Sequence, residues 1–278
     1  MSAAIRLDKV VVEYASGSEG ARRILSGVDL HVQSGEFVSI VGKTGCGKST
    51  LLRLILGEES PTSGRVLVNG SERRKPDCLC GYVPQKYSLF PDKTVLDNIT
   101  FGLEVSEFGR LSMFRAVCRT RMQEFRAAAL LRLTQMGLHA DDAGKYPHQL
   151  SGGMQQRVAI AQALIMKPPI LLMDEAFSAL DPVTRAGMQQ LIKDVWRQSG
   201  ATIIFVTHNT REAVCLGSRI IALARDGERG SYVALDTAVP HVDFDSAEHE
   251  IRDLTQDVER ATHSGVELTH SRLVSALT

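Results

Sequence analysis

Aromatic residues are scarce: one Trp, five Tyr and nine Phe make up 5% of 278 residues. So thin a set offers no platform on which successive bases could stack. Net charge is absent too, because 32 Lys and Arg balance 32 Asp and Glu, and no global basic field draws the chain to nucleic acid. The longest apolar runs, such as Pro168–Met173 and Ile203–Val206, fall far short of the roughly 20 residues a membrane-spanning helix needs. The five cysteines, Cys46, Cys78, Cys80, Cys118 and Cys215, are odd in number and scattered. That pattern excludes a disulfide framework and fits a reducing compartment. Cys78 and Cys80 stand close together, but no second Cys or His pair follows at zinc spacing, so they read as a strand or loop edge. The opening MSAAIRLDKV lacks the apolar core of a secretory signal. The expectation is a chain that does not span a bilayer and is brought to any membrane by another chain.

What is present is an ordinary globular composition, 44% hydrophobic and 23% charged, with ample length for a buried core. Charge is unevenly placed. Residues 241–278 carry eight acidic groups against three basic ones, leaving this tail at −5 and the preceding 240 residues at +5. Ile5–Tyr14 and Ile24–Val32 read as strands joined across a polar turn at Ala15–Gly20. Phe37–Val41 is a buried strand that feeds a helix from about Lys48 to Leu56, and Arg65–Val68 returns to strand character. Leu111, Phe114, Cys118, Met122 and Phe125 recur at helical steps within a helix expected to reach Met136. Another helix runs from Ser151 to about Met166. Beyond it the chain alternates: strand Ile170–Met173, a helix with Asp181 as N-cap and Pro182 first, strand Ala201–Thr207, helix Arg211–Leu216 and strand Arg219–Ala224. This order predicts an α/β fold with a mainly parallel sheet, N-terminal antiparallel strands and an inserted helical lobe.

Three segments carry chemistry. Gly42-Lys43-Thr44-Gly45-Cys46-Gly47-Lys48-Ser49 matches the phosphate-loop pattern in full, between a strand and a helix. Its glycines let backbone N–H groups turn inward around a polyphosphate, and the helix adds the positive end of its dipole. Lys48 then reaches the β- and γ-phosphates and the Ser49 hydroxyl ligates Mg²⁺. Second, the apolar strand Ile170–Met173 runs into Asp174 and Glu175. Asp174 suits the metal and Glu175 the attacking water. Third, Ser151-Gly152-Gly153 opens a helix, which makes a second anion-binding N-terminus in one chain.

Leu150-Ser151-Gly152-Gly153-Met154-Gln155-Gln156-Arg157 resembles the signature motif of the ATP-binding cassette family, and the remaining family motifs follow in order across about residues 5–225. Gln85 in Tyr82-Val83-Pro84-Gln85 resembles the Q-loop glutamine, Ser178-Ala179-Leu180-Asp181 the D-loop, His208 the switch histidine, and Tyr14 the aromatic that stacks on adenine. Ala176 and Asn209 depart from the proline and aspartate common at those places. The resemblance implies a phosphate-loop NTPase cassette over residues 1–240, with a helical lobe at about 86–166 and a separate acidic tail at 241–278. ATP and Mg²⁺ are the implied cofactors. Nucleotide contacts fall to Tyr14, Gly42, Lys43, Thr44, Gly45, Cys46, Gly47, Lys48, Ser49, Thr50, Ser151, Gly152, Gly153 and Gln155. Metal contacts fall to Ser49, Gln85 and Asp174, and catalysis to Glu175, His208, Gln85 and Lys48.

In this family two cassettes meet head to tail with ATP between them, so the implied partners are a second copy or homologous cassette and transmembrane permease subunits. An extracytoplasmic solute-binding protein is also implied, as is a peripheral place on the cytoplasmic face of the inner membrane. Lys145-Tyr146-Pro147-His148-Gln149 and Val158–Leu164 resemble the nitrate, sulfonate and taurine importers, whereas Asp174–Asp181 also resembles the glycine-betaine importers. A small nitrogen- or sulfur-containing solute is the expected cargo. Cassettes of exporters and lipid transporters remain the alternative. A chromosome or repair ATPase is disfavoured because only 66 residues separate Gln85 from Ser151, too few for a long coiled coil. Translation-factor cassettes normally come two to a chain. Two segments stand outside the motifs. Ser106–Arg126 carries Arg110, Arg115, Arg119, Arg121 and Arg126, read as a solvated face or a contact with membrane subunits or acidic lipid. The tail carries a helical stripe of Ile251, Leu254 and Val258, and four histidines, His241, His249, His263 and His270, expected at the surface.

Overall fold

A computed structural model of the chain describes residues 3–15, 21–86, 88–108, 115–239 and 248–264. In chain order its elements are β1 (Ala3–Ala15), β2 (Ala21–Gln33), β3 (Phe37–Gly42), α1 (Lys48–Leu56), β4 (Ser63–Val68), β5 (Ser71–Glu72) and β6 (Cys80–Val83). Then come α2 (Val95–Phe108), α3 (Arg115–Gln135), α4 (Gly152–Ile165), β7 (Ile170–Asp174), α5 (Pro182–Ser199), β8 (Thr202–Thr207), α6 (Thr210–Leu216), β9 (Arg219–Asp226), β10 (Gly230–Ala238) and α7 (Glu248–Ser264). They divide into two compact units, Met1–Cys80 with Trp196–Thr278, and Gly81–Val195.

The first unit holds strands in the order β5-β4-β1-β2-β10-β9-β3-β8. β1 pairs antiparallel with both β2 and β4, so that Ile5 faces Val32 and Val68, and Leu7 faces Leu30 and Val66. Ile5 and Leu7 are fully buried while Arg6 between them is exposed, the alternation of a sheet covered on one face. β3 is different. It lies parallel between β8 and β9, with Ile40 opposite Val206 and Ile221, and every one of its residues is buried. A strand covered on both faces reads as a continuous apolar run, which is why Phe37–Val41 was recognisable without any alternation. Phe37 meets Trp196 edge-on at 5.6 Å, and the indole donates to the Gly35 carbonyl at 2.7 Å, so the turn into β3 is fixed by packing and by a hydrogen bond.

β10 had no expectation in the sequence. It pairs antiparallel with β9 and parallel with β2, and its register shifts between Val233 and Leu235. That irregularity breaks the two-residue period by which a strand is read. The helix expected in the acidic tail is α7. Val258 and Ala261 are fully buried in a cluster with Val41, Ala213, Ile220 and Ala222, and Leu254 packs at its edge. The side chains of His249, Ile251 and His263 lie outside the described residues, as do His241 and His270 altogether.

In the second unit α3 buries Phe125, Ala129 and Leu133, and Met136 just past its end continues the same steps of three and four. Leu111, Phe114, Arg110 and the side chains of Arg115 and Cys118 lie outside the described residues. Arg119, Arg121 and Arg126 are exposed; Arg121 pairs with Glu107 and Glu124, and Arg126 with Asp97. α2 was hidden within the broad helical stretch because polar Asn98 and Thr100 occupy two of its buried positions. The Asn98 amide is fully engaged: it donates to the carbonyls of Phe90, Lys93 and Thr94 and accepts from the Phe90 N–H at 2.8 Å.

The docking of α7 is testable. Val258→Asp places a carboxylate in an apolar cluster and is expected to lower unfolding free energy by about 3 kcal/mol or more. Gln256→Ala, on the exposed face of the same helix, leaves it within about 0.5 kcal/mol. Equal denaturation midpoints for the two variants contradict the packing.

Candidate active site

β3 runs buried to Gly42, and the chain then turns through Lys43–Gly47 into α1. A Cβ at Gly42 would lie 2.5 Å from Cys46 Sγ and 2.7 Å from the Leu223 carbonyl oxygen, so no larger residue fits. Gly47 has φ +88° and a Cβ there would stand 2.8 Å from Leu25 Cδ2. Because Gly47 is the N-cap, α1 begins without a side-chain acceptor, and its first turn holds no acid. The positive end of the helix is left for an external anion. Lys48 is buried and donates from Nζ to the carbonyls of Gly42 at 2.7 Å and Lys43 at 3.1 Å, so the ammonium lies over the loop. Ser49 is exposed, whereas the Thr50 hydroxyl is buried and accepts from Arg53 at 3.2 Å. Burial pushes the pKa of the Cys46 thiol above its ordinary value, because it disfavours the thiolate.

The opposite end of α1 is closed by a residue no motif signalled. Gly57, left-handed at φ +81°, donates to the carbonyls of Arg53 and Leu54. Arg73 donates from Nε to those of Ile55 at 2.9 Å and Leu56 at 3.2 Å. All of the last four carbonyls are thereby engaged, with a buried cation at the negative end of the helix dipole. Asp77 pairs with the same guanidinium at 2.6 Å, which holds its carboxyl below the usual range. A lone Arg in a loop gives no pattern to read.

Two more motif residues sit in this unit. Tyr14 keeps 39% of its surface exposed, too much for a core side chain, and its hydroxyl accepts from Arg53 at 3.3 Å. Burial of the hydroxyl and its bond to Glu59 push its pKa above the ordinary phenol value. His208 is exposed just beyond β8. Thr207 before it donates to Glu212 at 2.6 Å, and Asn209 after it caps α6 by accepting from the Glu212 N–H at 3.1 Å. Asparagine serves as an N-cap as well as aspartate does, which accounts for this departure from the motif.

The second unit holds the other half of the motif set. β7 is buried throughout and ends in Asp174, which is 5% exposed. Glu175 follows at φ +47°, left-handed for a non-glycine residue, a conformation that costs about 1–3 kcal/mol and concentrates at functional sites. Gln85 Nε2 donates to Glu175 Oε2 at 2.8 Å, so this unit brings the expected glutamine onto the carboxylate. Ala176 is fully buried. Asp181 caps α5 by accepting from the Thr184 N–H at 3.0 Å, and these bonds depress its carboxyl. Ser151 caps α4, accepting from the Met154 N–H at 3.3 Å, and the first turn of that helix also lacks an acid. Gln155 donates to the Leu150 carbonyl at 3.2 Å. A Cβ at Gly153 would meet Leu180 Cδ2 at 3.5 Å and the Ala179 carbonyl oxygen at 3.9 Å, both ordinary contacts, so nothing among the described residues requires glycine there. Lys48, Ser49, Tyr14 and His208 thus belong to the first unit, and Gln85, Ser151, Gly152, Gly153, Gln155, Asp174 and Glu175 to the second.

These glycines make opposite predictions. Gly42→Ala is expected to cost about 1–3 kcal/mol of stability by overpacking, whereas Gly153→Ala unfolds within about 0.5 kcal/mol of the parent. Denaturant titration distinguishes them, and a strongly destabilised Gly153→Ala contradicts the geometry.

Residues 25–178 match the family model described as ABC transporter. The aliphatic sulfonates import ATP-binding protein SsuB of Pseudomonas putida is 43% identical over 221 residues, which cover 80% of this chain and 74% of that protein. An uncharacterized ABC transporter ATP-binding protein of Methanocaldococcus jannaschii is 42% identical over 220 residues, covering 78% and 77%. Among solved structures, the ATP-binding cassette MJ0796, in a dimeric post-hydrolysis state bound to ADP and Pi, superposes with a TM-score of 0.73 at 34% identity. That match covers 86% of this chain and all of the other. With its phosphate loop, carboxylate pair and signature helix in family order, the chain belongs to the ABC transporter family, as an ATP-binding and ATP-hydrolysing subunit.

Proposed function

We propose that the chain drives uptake of a small organosulfur anion, of the aliphatic sulfonate class, through separate membrane subunits served by an extracytoplasmic binding protein. The support is the 43% identity to a sulfonate importer's ATP-binding protein, together with the Lys145–Gln149 and Val158–Leu164 segments of that group. No helix among the described residues is long and apolar enough to cross a membrane, so transport by this chain requires partner subunits. Its place is then the cytoplasmic face of the inner membrane.

The chemistry we assign follows from each side chain. Lys48 and the first N–H groups of α1 hold the β- and γ-phosphates, and Tyr14 lies against the adenine. Gly42, Lys43, Thr44, Gly45, Cys46, Gly47 and Thr50 shape that loop. The Ser49 hydroxyl, the Gln85 amide oxygen and the Asp174 carboxylate are hard oxygen donors of the kind Mg²⁺ selects. Bound there, the ion would supply charge neutralisation to the transferring phosphoryl group. Glu175 accepts hydrogen bonds from the attacking water and orients it, and His208 holds the γ-phosphate. Ser151, Gly152, Gly153 and Gln155 serve the nucleotide of a second cassette. The observation that carries this last assignment is Gly153, where internal packing leaves room for a methyl group. Glycine at a helix N-terminus with no internal need for it fits close approach by a ligand or a partner backbone.

The test is reconstitution with the permease subunits in proteoliposomes. ATP hydrolysis is expected to rise when binding protein loaded with an aliphatic sulfonate is added, and not with a betaine-loaded one. Glu175→Gln should cut hydrolysis by about 100-fold or more while retaining ATP. Stimulation by betaine alone contradicts the substrate class, and wild-type turnover in Glu175→Gln removes that residue from its role.

A further inference from the structure

Gln156 is 1% exposed, in the second turn of α4, and its amide is only half satisfied. Nε2 donates to the Pro84 carbonyl across a long 3.5 Å, and Oε1 has no hydrogen-bond partner among the described residues. An apolar side chain of similar size would fill the same space with no unmet acceptor, so packing alone does not account for a glutamine. Its neighbours do. Pro84 immediately precedes Gln85, and Gln85 Nε2 is 2.8 Å from Glu175 Oε2. Five residues before Gln156 stands Ser151, the cap of the same helix.

From this placement we infer that Gln156 is a positioning residue that conveys the state of the signature helix to the general base of its own chain. The line lies wholly within the unit Gly81–Val195: Ser151, the rigid helix α4, the Gln156 amide, the Pro84 carbonyl, Gln85 and Glu175. An α-helix moves as a body, so a ligand seated at its N-terminus displaces Gln156 with it. The amide is under-bonded as it stands. A small shift of α4 toward Pro84 shortens the 3.5 Å contact into a full hydrogen bond and carries the Pro84–Gln85 peptide with it. Gln85 then resets the Glu175 carboxylate. Proline suits the relay, because having no N–H it presents only its carbonyl to the glutamine. The inference rests on the assignment of Ser151 to a second cassette's nucleotide. Its consequence is that ATP in one site prepares the base of the other, which makes hydrolysis cooperative.

The test compares Gln156→Met, which preserves size and removes both polar groups, with Gln156→Asn, which keeps the amide one methylene short of Pro84. Both are expected to bind a fluorescent ATP analogue within about twofold of the parent, while kcat falls by roughly tenfold. The Hill coefficient for ATP should drop from about 2, the number of sites in a dimer, toward about 1. Combined with Ser151→Ala, the Gln156→Met defect in kcat should be less than additive, since both residues act along one line. Gln156→Met or Gln156→Asn with parental kcat and Hill coefficient overturns the relay, as does full additivity. Loss of ATP binding in either variant also overturns it. A parent chain that shows no ATPase activity points instead to failure of the assigned site.

Discussion

The positive end of α1 must stay open. A side-chain cap or an acid in the first turn would satisfy or neutralise the very N–H groups that a polyphosphate needs, and neither is present: the N-cap is Gly47. Much of the surrounding structure follows from that requirement. An uncapped helix gives up stabilisation at its N-terminus, and the chain supplies it at the other end, through Gly57 and the buried Arg73 guanidinium on the last carbonyls. The strand that delivers the loop, β3, is held parallel between β8 and β9 and buried throughout. Gly42 is fixed against Leu223 of β9, and Arg225 of the same strand donates to the Gly45 carbonyl at 3.3 Å.

The signature helix repeats the arrangement with one difference. α4 also opens without an acid in its first turn, yet Ser151 caps it from within at 3.3 Å. A helix already capped from within is a weaker anion site than α1. The strain at Glu175, left-handed at φ +47° and bonded to Gln85, belongs to the same unit. Rigid supports on one side and an under-bonded relay at Gln156 on the other give that unit the means to respond to what α4 touches.

Most of this architecture was legible in the sequence where residue type and position coincide. Lys48–Leu56 was readable as a helix because glycine, lysine and serine mark its start and an apolar face follows, and α1 has those bounds. Asp181 and Pro182 announced α5 in the same way. The unreadable parts share a physical cause, namely that long-range contacts decided them. β10 carries a register shift that masks its period, and α2 buries Asn98 because its amide ties down the loop at Phe90–Thr94. Arg73 finds its partners 17 and 18 residues earlier, at the end of a helix, which no local pattern encodes. Val258 was visible within an apolar stripe, but not the cluster with Val41 and Ile220 that receives it.

The central claim is that one γ-phosphate is served by Lys48 of one chain and Ser151 of another. Mixing two inactive variants, Lys48→Ala and Ser151→Arg, tests it most directly. In a heterodimer built in trans, one site carries both defects and the other is intact, so ATP hydrolysis should return in part once subunits exchange. If each site is built within one chain, every site of the mixture keeps a defect and no activity returns. Crosslinking of Gly45→Cys on one chain to Ser151→Cys on the other reads contact without turnover. An ATP-dependent intermolecular crosslink is the result expected, and verified heterodimers showing neither recovery nor crosslink contradict the account.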